Sequence, residues 1–264
     1  MPKNQKFLAF DTSTDVMSVA VTDGVRVWQH SGPGGAKSST TLIPAILALL
    51  ADARLELGGL DAIVFGRGPG SFTGLRTACA VAQGLAFGAN HGAGIPVLPV
   101  DTLMAVAEEA RFQMQGHGVE GGAGEGAQSL RITALLDARM DEMYAQSYEF
   151  NSGNCNQIGG CELIRPENLV MDGACDLLAG NVFGVYAGRL SAEVMQFARV
   201  EALPTATALL RLAPALAASG HCVEAALALP LYVRDKVALT TDERDKVKHD
   251  KVQAALAAGL TQAN

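Results

Sequence analysis

Two short runs carry most of the chemical character of this sequence. The first is Asp11-Thr12-Ser13-Thr14, a carboxylate and three hydroxyls that follow the apolar residues Phe7–Phe10. A turn of this kind between two strands can hold a magnesium–phosphate group, because carboxylates and hydroxyls are hard oxygen ligands. It can also be a self-contained turn, since Asp and Ser side chains bond the backbone two residues on. The second run is Phe65–Arg76, FGRGPGSFTGLR, with four glycines, one proline and two hydroxyl residues. A phosphate loop aims several backbone N–H groups at one anion, and a helix start behind it favours negative charge.

The spacing does not fit the known phosphate loops. No register matches GxxxxGK[ST], and the run contains no lysine. The pattern GxGxxG reaches Ser71 when started at Gly66 and Thr73 when started at Gly68. Pro69 also removes an N–H in mid-loop. The other reading is a stiff turn whose glycines allow close backbone approach, with Ser71 or Thr73 capping the next helix. Both stay open at this level, so Asp11, Thr12, Arg67 and Arg76 are the candidates for contact with a nucleotide. His30, His91, His117, His221 and His249 form no i,i+4 pair and no HExxH, so no metal site is expected. No GxSxG elbow occurs. Five cysteines without a CxxC are expected to be reduced thiols rather than a disulfide framework.

These runs need elements to position them. Residues 6–11, 17–24 and 25–31 read as a three-strand meander with an Asp23-Gly24 turn. A loop, SGPGGAKSS, leads to a helix from about Thr40 to Leu57, with Ser38–Thr41 available as caps and Pro44 in the first turn. Residues 60–68 read as a strand, Thr73–Gly88 as a helix, 95–101 as a strand and 102–116 as a helix. Residues 116–129 hold six glycines and no apolar period, and read as an insertion. Three further strands follow, LRITALLDA, MDEMYAQSYEF and QIGGCELI. A helix over TATALLRLAPALAASGH ends at Gly220, PLYVRDKV is short and extended, and 238–264 is a charged helix or tail. This order predicts an α/β fold with mixed sheets. Placing Asp11 on Asp137 also puts Asp15 on Asp141 and Met17 on Met143, which points to an internal duplication. The second turn, DARMDE, lacks the hydroxyls and carries Arg139.

Bulk properties narrow the partners. The chain has 264 residues, a formal net charge of −7 and 49% hydrophobic residues. An acidic chain is a poor grip for nucleic acid on its own. Thr77–Val100 has no charged residue, but its dense apolar part is only 13 residues, against about 20 for a membrane span. The start lacks a signal-peptide core, so a cytoplasmic location is expected. TLIPAILALL and TGLRTACAVAQGLAFGA are apolar or small on nearly all sides, and such helices must bury more than one face. Burial under a second layer of the same chain is one answer; a subunit interface is the other and is favoured here. Its candidates are Leu42, Ile46, Leu49, Leu50, Thr77, Ala78, Val81 and Leu85, with Val81→Asp and Leu85→Asp expected to break it.

AFDTST, GRGPGSFTGLR, DARMDEMYAQSYE and PLYVRDKV together resemble the TsaB (YeaZ) family, over about Phe7 to Val237. The family is the dimerization subunit of the bacterial tRNA threonylcarbamoyladenosine machinery. The resemblance implies a two-lobed actin/Hsp70-like fold (ASKHA, RNase H-like) with a degenerate second lobe, divided as 1–105, 106–237 and a tail. It implies a non-catalytic subunit that pairs with TsaD, joins TsaE in a larger complex and meets tRNA through that complex. Without TsaD a homodimer is expected. No cofactor of its own is implied, with ATP or ADP at most at the partner interface. TsaD holds its metal through an HxxxH pair on the first long helix; the matching stretch here, KSSTTLIPAIL, has no histidine. The alternatives are an independent ASKHA-type kinase and a glycopeptidase-like enzyme.

Overall fold

A computed structural model describes residues 4–116, 129–151, 154–171 and 175–234. One compact unit holds the chain as far as Val233. Most of the glycine-rich insertion and the whole expected tail lie outside the described residues.

The first half opens with β1 (Phe7–Asp11), β2 (Val16–Thr22) and β3 (Val27–Pro33), then α1 (Ser38–Ala53), β4 (Ala62–Gly68), α2 (Phe72–Gly88), β5 (Val97–Asp101) and α3 (Thr102–Gly116). The second half gives β6 (Leu130–Arg139), β7 (Glu142–Asn151), β8 (Asn154–Ile164), β9 (Leu177–Gly180), α4 (Val182–Val185), β10 (Arg199–Glu201) and α5 (Ala206–Ala218). Each half builds a five-stranded sheet, in the orders β3-β2-β1-β4-β5 and β8-β7-β6-β9-β10. In both, the first two strand pairs are antiparallel and the last two parallel. The duplication is therefore real at the level of topology.

The sheets face each other through exchanged helices. α5 follows the second sheet in sequence but covers the first, where Leu209, Leu212 and Ala213 pack on Phe7, Ala9, Ala20 and Val64. α3 follows the first sheet but covers the second, through Leu103, Val106 and Ala110 against Ile132, Ala134 and Tyr144. The expected lobe boundary at 105/106 thus falls inside α3, and α5, from Ala206, returns to the first sheet. On the outer face of the first sheet, α1 and α2 pack on Leu8, Phe10, Met17, Val19 and Phe65.

Local expectations hold in part. The SGPGGAKSS segment is ordered: β3 reaches Pro33, and a 3-10 turn over Gly35–Lys37 feeds α1. α1 starts from Lys37 without a side-chain cap, while Thr40 and Thr41 hydroxyls donate back to the Lys37 carbonyl. Pro44, the seventh residue of α1, lies in its second turn rather than its first. Thr205 does cap α5, accepting from the Ala208 N–H.

Candidate functional site

β1 delivers Asp11 to the end of its strand, where the carboxylate is fully buried. Its Oδ1 accepts from the Ser13 N–H at 2.8 Å and the Ser13 hydroxyl at 2.6 Å, which is the self-contained turn. Its Oδ2 and the buried Thr102 Oγ1 face each other without a well-formed hydrogen bond. Burial pushes the Asp11 carboxyl up to about 6, against the two Ser13 hydrogen bonds and the Thr102 hydroxyl that lower it.

The glycine run wraps this turn. A Cβ on Gly66 would stand 1.8 Å from Asp11 Oδ2, and one on Gly74 would stand 1.8 Å from the Thr12 carbonyl oxygen. Thr12 is also fully buried, and its hydroxyl donates to the Gly74 carbonyl at 2.7 Å. The Ser71 N–H donates to the Ser13 carbonyl at 2.7 Å. Ser71 does occupy the cap position of α2, but its side chain makes no cap bond. Glycine at these positions lets the run lie against the Asp11 turn, so the run is a packing surface for that turn. Asp11 and Thr12 are thus both fully buried against their own chain.

Arg67 and Arg76 leave the run in different ways. Arg67 Nε meets Asp101 at 2.5 Å, and the Arg67 carbonyl accepts from the Leu231 N–H. Arg76 lies 3.8 Å from the centre of the Phe72 ring and donates to the Tyr232 hydroxyl. Residues 225–232 thus form a strap along α2. Ala228 offers its carbonyl to Cys79 Sγ and Gln83 Nε2, and Ala225 and Ala228 join the core under α2. This strap is a second layer of the same chain, and the apolar spacing of 225–231 is the one sequence cue to it.

The second Asp turn is built differently. Its tight Met140-Asp141 turn has φ near +60°, as two-residue hairpins require. A bulge in β6 between Asp137 and Arg139 shifts the register by one residue. Ahead of that bulge, where the alternation is regular, Leu135 lies in the outer cluster with Val182 and Tyr186, whereas Phe10 and Leu8 define the outer face in β1. Asp137 accordingly points outward to the Tyr186 hydroxyl at 2.7 Å, while Asp11 alternates with the inward Phe7 and Ala9. The two aspartates are matched in sequence and opposed in space. Arg139 spans the gap, pairing both nitrogen-to-oxygen contacts with Asp15 at 2.8 and 2.9 Å.

The predicted interface residues need correction. Leu42, Ile46, Leu49, Leu50 and Ala78 are buried in the core between α1, α2 and the first sheet. Val81 and Leu85 are half-buried against that core, and Thr77 is half-buried with its hydroxyl bonded to Thr73. The reason is that the stronger apolar stripe of each helix belongs to its own sheet. The outer stripe is weaker: Ile43, Leu47 and Phe87 are 43%, 56% and 57% exposed. Ile43 and Leu47 are spaced i,i+4, the one signal that could have found them.

Comparison with known proteins decides the family. The family model described as "TsaD: tRNA N6-adenosine threonylcarbamoyltransferase" matches residues 32–258. The tRNA threonylcarbamoyladenosine biosynthesis protein TsaB of Haemophilus influenzae is 32% identical over 248 residues, covering 89% of this chain and 96% of that protein. The chain belongs to the TsaB (YeaZ) family. The Escherichia coli TsaB is 30% identical over 241 residues, covering 88% of this chain and 96% of that protein. The solved structure of YeaZ from Pseudomonas aeruginosa superposes with a TM-score of 0.73 at 36% identity, covering 87% of this chain and all of that one. A second solved chain, described as similar to peptidase YeaZ, gives 0.72. The fold of this TsaB-family chain is the two-lobed actin-like one. Among the described residues no helix is long and apolar enough to cross a membrane.

Proposed function

We propose that this protein is a non-catalytic scaffold and activating subunit in the synthesis of threonylcarbamoyladenosine at position 37 of tRNA. It pairs with TsaD through the outer stripe of α1 and α2, and TsaE joins the pair. Alone it forms a homodimer through the same stripe, and it meets tRNA in the cytoplasm only as part of the complex. Nucleotide, where it is held, lies at the subunit junction rather than in this chain.

One observation carries the reading. α1 and α2 contain a single charged residue each, Asp52 and Arg76, yet Ile43, Leu47 and Phe87 project from them into solvent. Depletion of charge with exposed large apolar side chains marks an interface core, and about 1,600 Å² in total is the usual size of a stable one. The lack of catalysis is supported by the Asp11 turn, which is filled by its own glycine run.

The test is co-purification with TsaD and reconstitution of modified tRNA. Phe87→Asp and Leu47→Asp are expected to remove both while leaving the melting temperature near that of the parent. If both variants retain full complex yield, the assignment of the face is wrong. ATP turnover by the isolated protein that disappears in Asp11→Ala would instead establish the kinase reading.

A further inference from the structure

The exchanged helices α3 and α5 meet through a cluster of charges that the proposed function does not use. Glu108 on α3 is 2% exposed. Its two oxygens accept from Arg111 Nε and Nη2 at 2.7 and 2.9 Å, and Oε1 also accepts from Arg211 Nε of α5 at 2.8 Å. Arg211 Nη2 reaches Glu109 Oε2 at 2.7 Å, and the same oxygen accepts from Thr205, the cap of α5, at 2.7 Å. Each guanidinium also lies over an aromatic ring, Arg111 over Phe150 of β7 and Arg211 over Phe112 of α3. Two acids and two bases balance, and every carboxylate of the group has a partner.

The position of the cluster gives it a role. α3 is packed on the second sheet and α5 on the first. A bond between α3 and α5 is therefore a bond between the two lobes. Rotation of one lobe against the other slides α3 along α5, and that slide takes Arg211 from both Glu108 and Glu109, leaving Glu108 with Arg111 of its own helix alone. Buried charge pairs add little net stability, but breaking one is costly, which suits them to fixing a register. The Asp15–Arg139 pair adds a second, exposed tie between the hairpin turns of the two lobes.

We infer that the Glu108–Arg111–Arg211–Glu109 cluster is an interlobe lock, which holds the two sheets at one angle and leaves the protein unable to close on a nucleotide. The lock does not depend on which partner the outer stripe binds. Arg211 and Glu108 are positioning residues: they touch no ligand and act through the angle between the sheets.

The experiment measures that angle. Spin labels on non-natural amino acids are placed at the exposed Asp52 of α1 and Glu193 of the second lobe, and their separation is read by pulsed electron paramagnetic resonance. The parent protein is expected to give one narrow distance distribution that Mg-ATP and Mg-ADP leave unchanged. Arg211→Gln and Glu108→Gln are expected to add a second, longer population with secondary structure retained. A quadruple variant, Glu108→Leu and Glu109→Gln with Arg111→Met and Arg211→Met, removes the charge penalty along with the register. It is expected to melt near the parent and still show the second population, and it supplies the measurement if the single variants do not fold. A parent distribution that shifts with nucleotide overturns the lock, as does a quadruple variant whose distribution matches the parent's.

Discussion

In the first half of the chain, β3 is followed by a 16-residue helix and β4 by a 17-residue one. In the second half, the same strand positions are followed by a 3-10 turn at Pro166–Asn168 and by α4, four residues long. Strand order and strand direction are shared; the outer layer is not. The sheet face that α1 covers in the first half carries in the second a cavity of about 520 Å³, lined by Thr133, Ala145, Ser147, Ile158 and Ile164 among others. A duplicated sheet needs only one inner face to fold against its partner helix, so the outer layer was free to diverge. One copy kept long helices whose outer stripe is too apolar for water. The other copy has only short turns at those places, and a turn without hydroxyls.

The sharpest way to break this comparison is at the glycines. Both halves place a glycine where backbones nearly touch: Gly74 against Thr12 in the first, and Gly180, at φ +152°, against the Leu135 carbonyl in the second. Gly74→Ala and Gly180→Ala put a Cβ at 1.8 and 1.7 Å from a carbonyl oxygen that cannot move alone. Each is expected to cost at least about 3 kcal/mol, the range of severe core lesions, seen as a collapse of the urea midpoint. Equal losses would show that both copies depend on a close backbone approach, helix to turn in the first and strand to strand in the second. A mild effect at Gly180 would show that the second copy has relaxed.

The next largest effect separates the two aspartates. The Asp11 carboxyl titrates at about 6 in the folded chain, against an ordinary value of 3.8. Its folded pKa is raised by burial, so the folded state is favoured while the group is protonated. That advantage is complete below pH 4 and is lost as the pH climbs to 6. A shift of this size corresponds to roughly 3 kcal/mol. Asp11→Asn keeps an oxygen for the two Ser13 bonds and carries no charge. It is expected to flatten the stability profile between pH 4 and 6 and to raise the melting temperature at pH 8. The same change at Asp137, which faces Tyr186 instead, tests whether the effect is special to the first copy.

How far the sequence could be read follows from the same contrast. The β1–β2–β3 meander, both long helices and the topology of the repeat were legible because strand alternation and helical spacing are local. The failures are all non-local. Leu42, Ile46, Leu49 and Leu50 form the stronger stripe of α1, and only the sheet beneath shows that a strong stripe is core. β6 alternates without a break up to Asp137, so Asp137 shares the outer face of Leu135, and only the neighbours of β6 show that this face is opposite to that of Asp11. The strap over 225–232 and the short β9, α4 and β10 carry too little periodicity to be seen without their neighbours. The Glu108–Arg211 contact joins residues 103 positions apart.

A milder change tests the outer stripe without adding charge. Nothing lies within 4 Å of a Cβ built on Gly84 of α2 or on Gly184 of α4. Gly84→Ala in the middle of a long helix is expected to stabilise by about 0.5–1 kcal/mol, because alanine has less backbone freedom to lose. Gly184→Ala, in a single helical turn, is expected to gain less, since one turn adds few helical bonds. If Gly84→Ala stabilises the protein but weakens complex yield with TsaD, the partner approaches the α2 backbone closely at that point.

The smallest expected effect belongs to the tie between the two hairpins. Asp15 and Arg139 are 79% and 70% exposed, so water screens their attraction and two long-range side chains must be held in one geometry. Arg139→Ala is expected to leave the melting temperature within the error of the parent at 0.5 M salt and to lower it slightly at low salt, where the Debye length is longer. Asp15→Ala should match it, and the double variant should add nothing to either. A large loss at any salt would mean that the turn itself depends on Arg139, whose φ of +58° already departs from what its side chain prefers. Asp15→Ala leaves that backbone untouched, so a difference between the two single variants measures the turn and their common part measures the tie.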